Sequence, residues 1–124
     1  MNYRIVTNNP SVKEVYKDII FVNGTFLDVL INVRDLVHKG HELISHPLGS
    51  SIRTMYSPYR SIIVRNKTNE INKDHIEVIE NSIYSYKNTM QRRKPDAVNS
   101  KDYAMLDLNL LKSALDEFKS IYDY

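Results

Sequence analysis

The chain has no cysteine. That excludes a disulfide framework, a thiolate nucleophile and a sulfur metal site, and it suits a reducing compartment, so a cytoplasmic location is expected. Tryptophan is also missing, and there are only three glycines and four prolines in 124 residues. Neither an internal repeat nor a low-complexity linker can be read, and the length fits one domain, 1–124. No apolar stretch approaches the roughly 20 residues of a membrane helix, and MNYRIVTNNP turns polar too soon for the apolar core of a signal peptide. No membrane partner is expected. Charge of neither sign dominates: 17 Lys and Arg stand against 15 Asp and Glu, too near balance to argue for duplex nucleic acid. No GxSxG elbow, Walker loop, GxGxxG fingerprint or HExxH appears, so no catalytic residue, cofactor or metal is assigned.

What is present alternates. YRIVT (3–7) is a β-rich run closed by the turn residues Asn8, Asn9 and Pro10, and Ser11 with Glu14 reads as a capping box for a short helix over 12–18. The continuous apolar run 19–22 suits a strand buried on both faces, as in a parallel sheet. Thr25 with Asp28 caps a second helix, whose apolar residues Phe26, Val29, Leu30, Val33, Leu36 and Val37 recur at three and four residue steps; Gly40 stops it at Lys39. Leu43 to Ser45 is a candidate third strand and 61–65 a fourth, its direction undecided because the connection over 48–60 permits a crossover or a hairpin. Two longer helices follow, one over about 73–92 and one opened by Asn99 and Asp102. In the last, Ala104, Leu108, Leu111, Leu115, Phe118 and Tyr122 form a seam that packs within the chain or, alternatively, builds a homodimer. The expected fold is an α/β three-layer sandwich: a small, mostly parallel four-stranded sheet, helices on both faces and two C-terminal helices.

In such a sheet ligands bind outside the carboxyl ends of the strands. The stretch VRDLVHKGHELISHPLGSSIR (33–53) supplies one of the loops expected there, and 7–11 and 23–25 supply the others. The candidate binding residues are Asn8, Asn9, Ser11, His46, Gly49, Ser50, Ser51 and Arg53, an inventory of amides, hydroxyls, an imidazole and a guanidinium that suits a small anion. Arg60 and Arg65 add positive charge nearby. Any loop is rich in Asn, Ser, Gly and Pro, and Ser11 is already explained as a cap. His38, His41 and His46 suggest a metal at first sight, but a helix end, a cap glycine and a short strand of about 15 Å keep them apart.

YRIVTNNP, FVNGTFLDVLINVRDLVHKGHELISHPL, SPYRSIIV and IEVIENSI together resemble the GrdX family, over roughly residues 1–90. That resemblance implies a cytoplasmic accessory or regulatory protein beside the glycine, sarcosine and betaine reductases of anaerobic, amino-acid-fermenting bacteria, with a reductase subunit as a partner. It carries over no catalytic residue. Glycine reductase chemistry passes through acetyl phosphate, a setting that suits an anion site. The first expectation is therefore a non-catalytic accessory protein that binds a small anion or a reductase component. One rival is an enzyme acting on a phosphorylated or carboxylated metabolite with His46 as acid or base. A second is a nucleic-acid-binding regulator using Arg92, Arg93 and Lys94.

Overall fold

The computed structural model describes residues 2–49 and 52–122. Its elements are β1 (Tyr3–Thr7), α1 (Pro10–Val15), β2 (Ile19–Phe21), α2 (Phe26–His38), a 3-10 turn (Ile52–Tyr56), β3 (Ser61–Arg65), α3 (Lys73–Thr89) and α4 (Ser100–Tyr122). The sheet has three strands in the order β2-β1-β3; β2 runs parallel to β1, and β3 runs antiparallel, with Tyr3 opposite Arg65 and Thr7 opposite Ser61. This corrects the expected four-stranded, mostly parallel sheet on two counts. The 43–45 segment makes a single antiparallel bridge, Leu43 with Val64, and β3 enters from the opposite end.

The failure of 43–45 to become a strand has a local cause. The Ile63 N–H, which a neighbouring strand would meet with a carbonyl, donates instead to Ser45 Oγ at 2.9 Å, and the Leu43 N–H donates to His75 Nδ1. Side chains have taken places a backbone ladder would use. The segment is still fastened along β3, through Ile44 N–H to Ile63 O and Arg65 N–H to Glu42 O.

Alternating strand residues feed two cores. Val6, Ile62 and Val64 face α2 and α3, joining Phe26, Val29, Leu30, Val33, Val37, Ile79 and Ile83. Tyr3, Ile5 and Ile63 face the other way, onto Val12 of α1 and Leu111, Leu115 and Phe118 of α4. The seam of α4 is thus used inside the chain at these three positions.

The ends of α2 follow the sequence closely, whereas α1, expected over 12–18, runs Pro10–Val15, and α3 stops short of 92. Thr25 and Asp28 form the reciprocal capping box of α2, and Gly40, at φ 108°, follows its C-cap Lys39. A side chain at Gly40 would meet the Thr68 carbonyl at 2.8 Å, so the position admits only glycine comfortably. At α1 the cap is Asn9, whose side chain accepts from Ser11 N–H, and Pro10 opens the helix. The expected Ser11 and Glu14 box does not form because Pro10 suits the first helical position and moves the cap back two residues. α3 ends at Thr89, before the basic run 92–94.

Asp107 locks α4 to this frame. Only 4% exposed, its carboxylate accepts from Ser61 N–H at 2.9 Å, Ser61 Oγ at 2.7 Å and Asn9 Nδ2 at 3.0 Å, while Asn9 Nδ2 also donates to the Ala104 carbonyl. Asp107→Ala leaves those donors without this acceptor in a dry interior, and hydrogen bonds to a charged group are each worth about 1.5–3 kcal/mol. Urea denaturation should show Asp107→Ala destabilised by about 3 kcal/mol, with Asp107→Asn less affected.

Candidate functional site

The antiparallel entry of β3 brings its first residues to the edge where β1 and β2 end. Asn8 ties that edge together. Its amide donates to the Gly24 carbonyl at 3.0 Å and the Pro58 carbonyl at 2.9 Å, and its side-chain oxygen accepts from Arg60 N–H at 2.9 Å. Arg60 then reaches the third loop, donating from Nε to the Pro47 carbonyl at 2.8 Å and from Nη2 to the His46 carbonyl at 2.7 Å. The turns after β1 and β2 and the 46–49 loop therefore share one hydrogen-bonded rim.

A hollow of about 910 Å³ opens beside this rim, between α4 and the 42–46 segment. α4, packed over β1 and β3, borders it on one side and the 42–46 segment on the other. One end is lined by Ser45, His46, Gly49, Arg60 and Ser61; the wall is formed by Ile44 and by Leu110, Leu111 and Ala114 of α4; the other end by Glu42, Arg65, His75, Phe118 and Ile121. The two ends are fixed by the register, since Asp107 touches Ser61 and Phe118 meets the ring of Tyr3, which lies opposite Arg65.

Arg60 is the unusual residue here. It is 6% exposed, and among the described residues no carboxylate lies within 4 Å of its guanidinium and Nη1 has no hydrogen-bond acceptor. Burial pushes its pKa down, and Asp107 acts against that shift. Arginine nonetheless keeps its charge in proteins, so the hollow holds a cation with unused donors. Gly49, at φ 75°, lies flat against it: a Cβ there would sit 3.4 Å from Nη2 and 3.5 Å from Nη1.

His46 is held neutral by its surroundings. Leu48 N–H donates to Nδ1 at 3.1 Å, so that nitrogen carries the lone pair and Nε2 carries the proton. Loss of water and then the Arg60 charge lower its pKa. His75 is fixed in the same tautomer by Leu43 N–H. His41 is the reverse, its Nδ1 donating to the Arg65 carbonyl, and His38 lies on the surface 3.5 Å from Glu80. Among the described residues no three His, Asp or Glu side chains are grouped to hold a metal.

The expected binding residues thus fall in different places. His46 and Gly49 line the large hollow. Ser11 lines a smaller one of about 290 Å³ with Tyr59, Lys101 and Met105. Asn8 and Asn9 are buried, line neither, and spend their side chains on the rim and on α4. Ser50 and Ser51 lie outside the described residues, as does the side chain of Arg53, whose backbone belongs to the 3-10 turn. Sequence reasoning undervalued Arg60 and missed Ser61, His75 and Asp107. The signal for Arg60 was its place one residue ahead of the wholly apolar Ile62-Ile63-Val64, with only Ser61 between; nothing nearby marks Asp107, 46 residues from its partner Ser61. Of the basic run, Arg93 is engaged on Tyr56, through a 2.6 Å bond to its hydroxyl and a contact over its ring.

Fold and hollow together define a layered α/β protein with a mixed three-stranded sheet and, under its last helix, a hollow with a buried arginine at one end. The family model described as GrdX-like protein matches residues 4–116, and the chain belongs to that family. Membership fits a protein associated with glycine reductase. No curated protein and no solved structure matches it. No helix among the described residues is long and apolar enough to cross a membrane.

The neutral state of His46 sets a pH dependence. With its folded pKa below the ordinary value of 6.5, the unfolded chain takes up the proton first, so this residue lowers stability as pH falls from about 6.5 toward the folded pKa. Nitrogen-detected NMR of the histidine rings should find His46 protonated on Nε2 and titrating below the free-histidine range. A titration at or above that range removes the contact with Leu48 as its constraint.

Proposed function

We propose that this chain is a non-catalytic accessory protein of the glycine reductase system that holds a small anion, a phosphate or carboxylate, against Arg60 in the hollow beneath α4. The observation that carries the reading is the buried guanidinium with free donors and no carboxylate within 4 Å among the described residues. A buried charge is costly unless paired, and an arriving anion would supply the pair. The Ser45 hydroxyl and the Nε2–H of His46 line the same end and can add donors. Asn8 positions Arg60 through its backbone N–H. Of the residues expected from sequence, His46 and Gly49 belong to this site.

The same geometry speaks against His46 as a general base. Its lone pair faces Leu48 N–H and is not available to take a substrate proton. What remains is a hydrogen-bond donor, which suits recognition. The anion reading keeps its connection to the reductase system through family membership, and a reductase component that presents a carboxylate or phosphate would meet the same chemistry.

Titration with inorganic phosphate and with acetate tests the reading directly. In two-dimensional NMR the amides of Leu48 and Ser61 should shift saturably while that of Val78 on α3 does not, and the melting temperature should rise with anion concentration. Arg60→Gln should abolish both effects in a chain whose circular dichroism stays native. Uniform or absent shifts in the native chain refute the site without reliance on any variant.

A further inference from the structure

The hollow is far longer than a small anion, and its two halves differ in chemistry. The register puts Arg60 and Ser61 at one end and Phe118 and Ile121, with Glu42, Arg65 and His75 beside them, at the other; four strand steps from Ser61 to Arg65 span about 13 Å. Between them the α4 wall is Leu110, Leu111 and Ala114, with Ile44 opposite. Two of these apolar side chains remain in water: Leu110 is 39% exposed and Ile121 is 67% exposed. A phosphate or acetate at Arg60 would leave this apolar channel wet. A ligand with a charged head and a hydrocarbon tail would cover both halves at once.

We infer that the ligand of this site is an amphiphilic anion, a straight-chain carboxylate or acyl phosphate of medium length, with its head at Arg60 and its chain lying along α4 toward Ile121. The inference rests on the anion reading above and adds the apolar half of the ligand. A cavity of about 910 Å³ is at the upper end of the range for drug-sized molecules, roomy for a chain of this kind. The head is recognised by a planar guanidinium with at least one unused N–H pair on Nη1, and the tail by burial of surface that now faces solvent. Away from Arg60 the lining carries two carboxylates, Glu42 and Glu117, against one guanidinium, Arg65, so the balance of charge there does not favour a second negative group.

Isothermal titration calorimetry with acetate, butanoate, hexanoate and octanoate, each below its micelle concentration, tests this on the full chain. Each added methylene should tighten binding by about fourfold where it is fully buried. The Leu110→Glu, Ile121→Glu double variant should flatten that series, and because both side chains are exposed, folding should be unaffected. Tyr84→Glu on the exposed face of α3 should leave the series as it is. Binding of phosphate and acetate without any gain along the series overturns this inference and leaves the anion reading standing. Octanol binding as tightly as octanoate, or no binding of any anion, overturns both.

Discussion

A single carboxylate, that of Asp107, governs where α4 lies, and through α4 the shape of the hollow. It is carried inward by a helix whose other contacts are apolar, and apolar contacts alone permit sliding and rotation. Three directional bonds to Ser61 and Asn9 remove that freedom. The bond directions propagate further. Because Ser61 Oγ gives its proton to Asp107, the Thr7 hydroxyl at 2.7 Å must donate to Ser61, and Asn9 N–H then donates to Thr7. The start of α1, the ends of β1 and β3 and the first half of α4 are thereby one polar unit within an otherwise apolar layer.

Arg60 sits next to this unit in sequence yet is not neutralised by it. Asp107 is near enough to favour the charged guanidinium, but both carboxylate oxygens are occupied by other donors. Arg60 turns instead to two backbone carbonyls, which accept hydrogen bonds but carry no full charge. The result is two opposite charges in one interior, each hydrogen-bonded and neither in direct contact with the other. A pair that closed on itself would leave nothing for a ligand. Keeping them apart leaves the guanidinium at the end of the hollow with its plane fixed by two backbone carbonyls.

Much of the frame was legible in the sequence because it rests on local rules. The β-rich YRIVT, the Thr25 and Asp28 box and the Gly40 stop are determined within a few residues and appear in the structure, while of the apolar run 19–22 the strand takes Ile19–Phe21 and is half-buried, not buried on both faces. The third strand was not legible, because its failure depends on Ser45 and His75 replacing backbone partners, and His75 lies 32 residues from Leu43. The direction of β3 was not legible because the 48–60 connection permits a crossover or a hairpin; the strand runs antiparallel to β1. Family membership was legible from the 33–53 block and its neighbours, and the matched span reaches 116, into α4, beyond the part whose resemblance was plain. The roles of Asn8 and Asn9 were hidden for another reason: turn asparagines look alike whether they face a ligand or, as here, hold three loops and a helix.

The loss of the expected third strand bears directly on the hollow. A regular strand at 43–45 would have placed a full ladder against β3 and called for a helix above it, since a buried edge needs cover. The single bridge instead leaves a narrow ledge whose N–H groups are taken by His75 and Ile63 O, so it tolerates solvent without inviting strand addition. α4 can then lie off-centre over β1 and β3, packed by Leu111, Leu115 and Phe118 on one side and open along Leu110 and Ile121 on the other. The cavity is therefore a consequence of two side chains, Ser45 and His75, that interrupt the sheet at its margin, and its cationic end of one arginine that the interior hydrogen-bonds but does not neutralise.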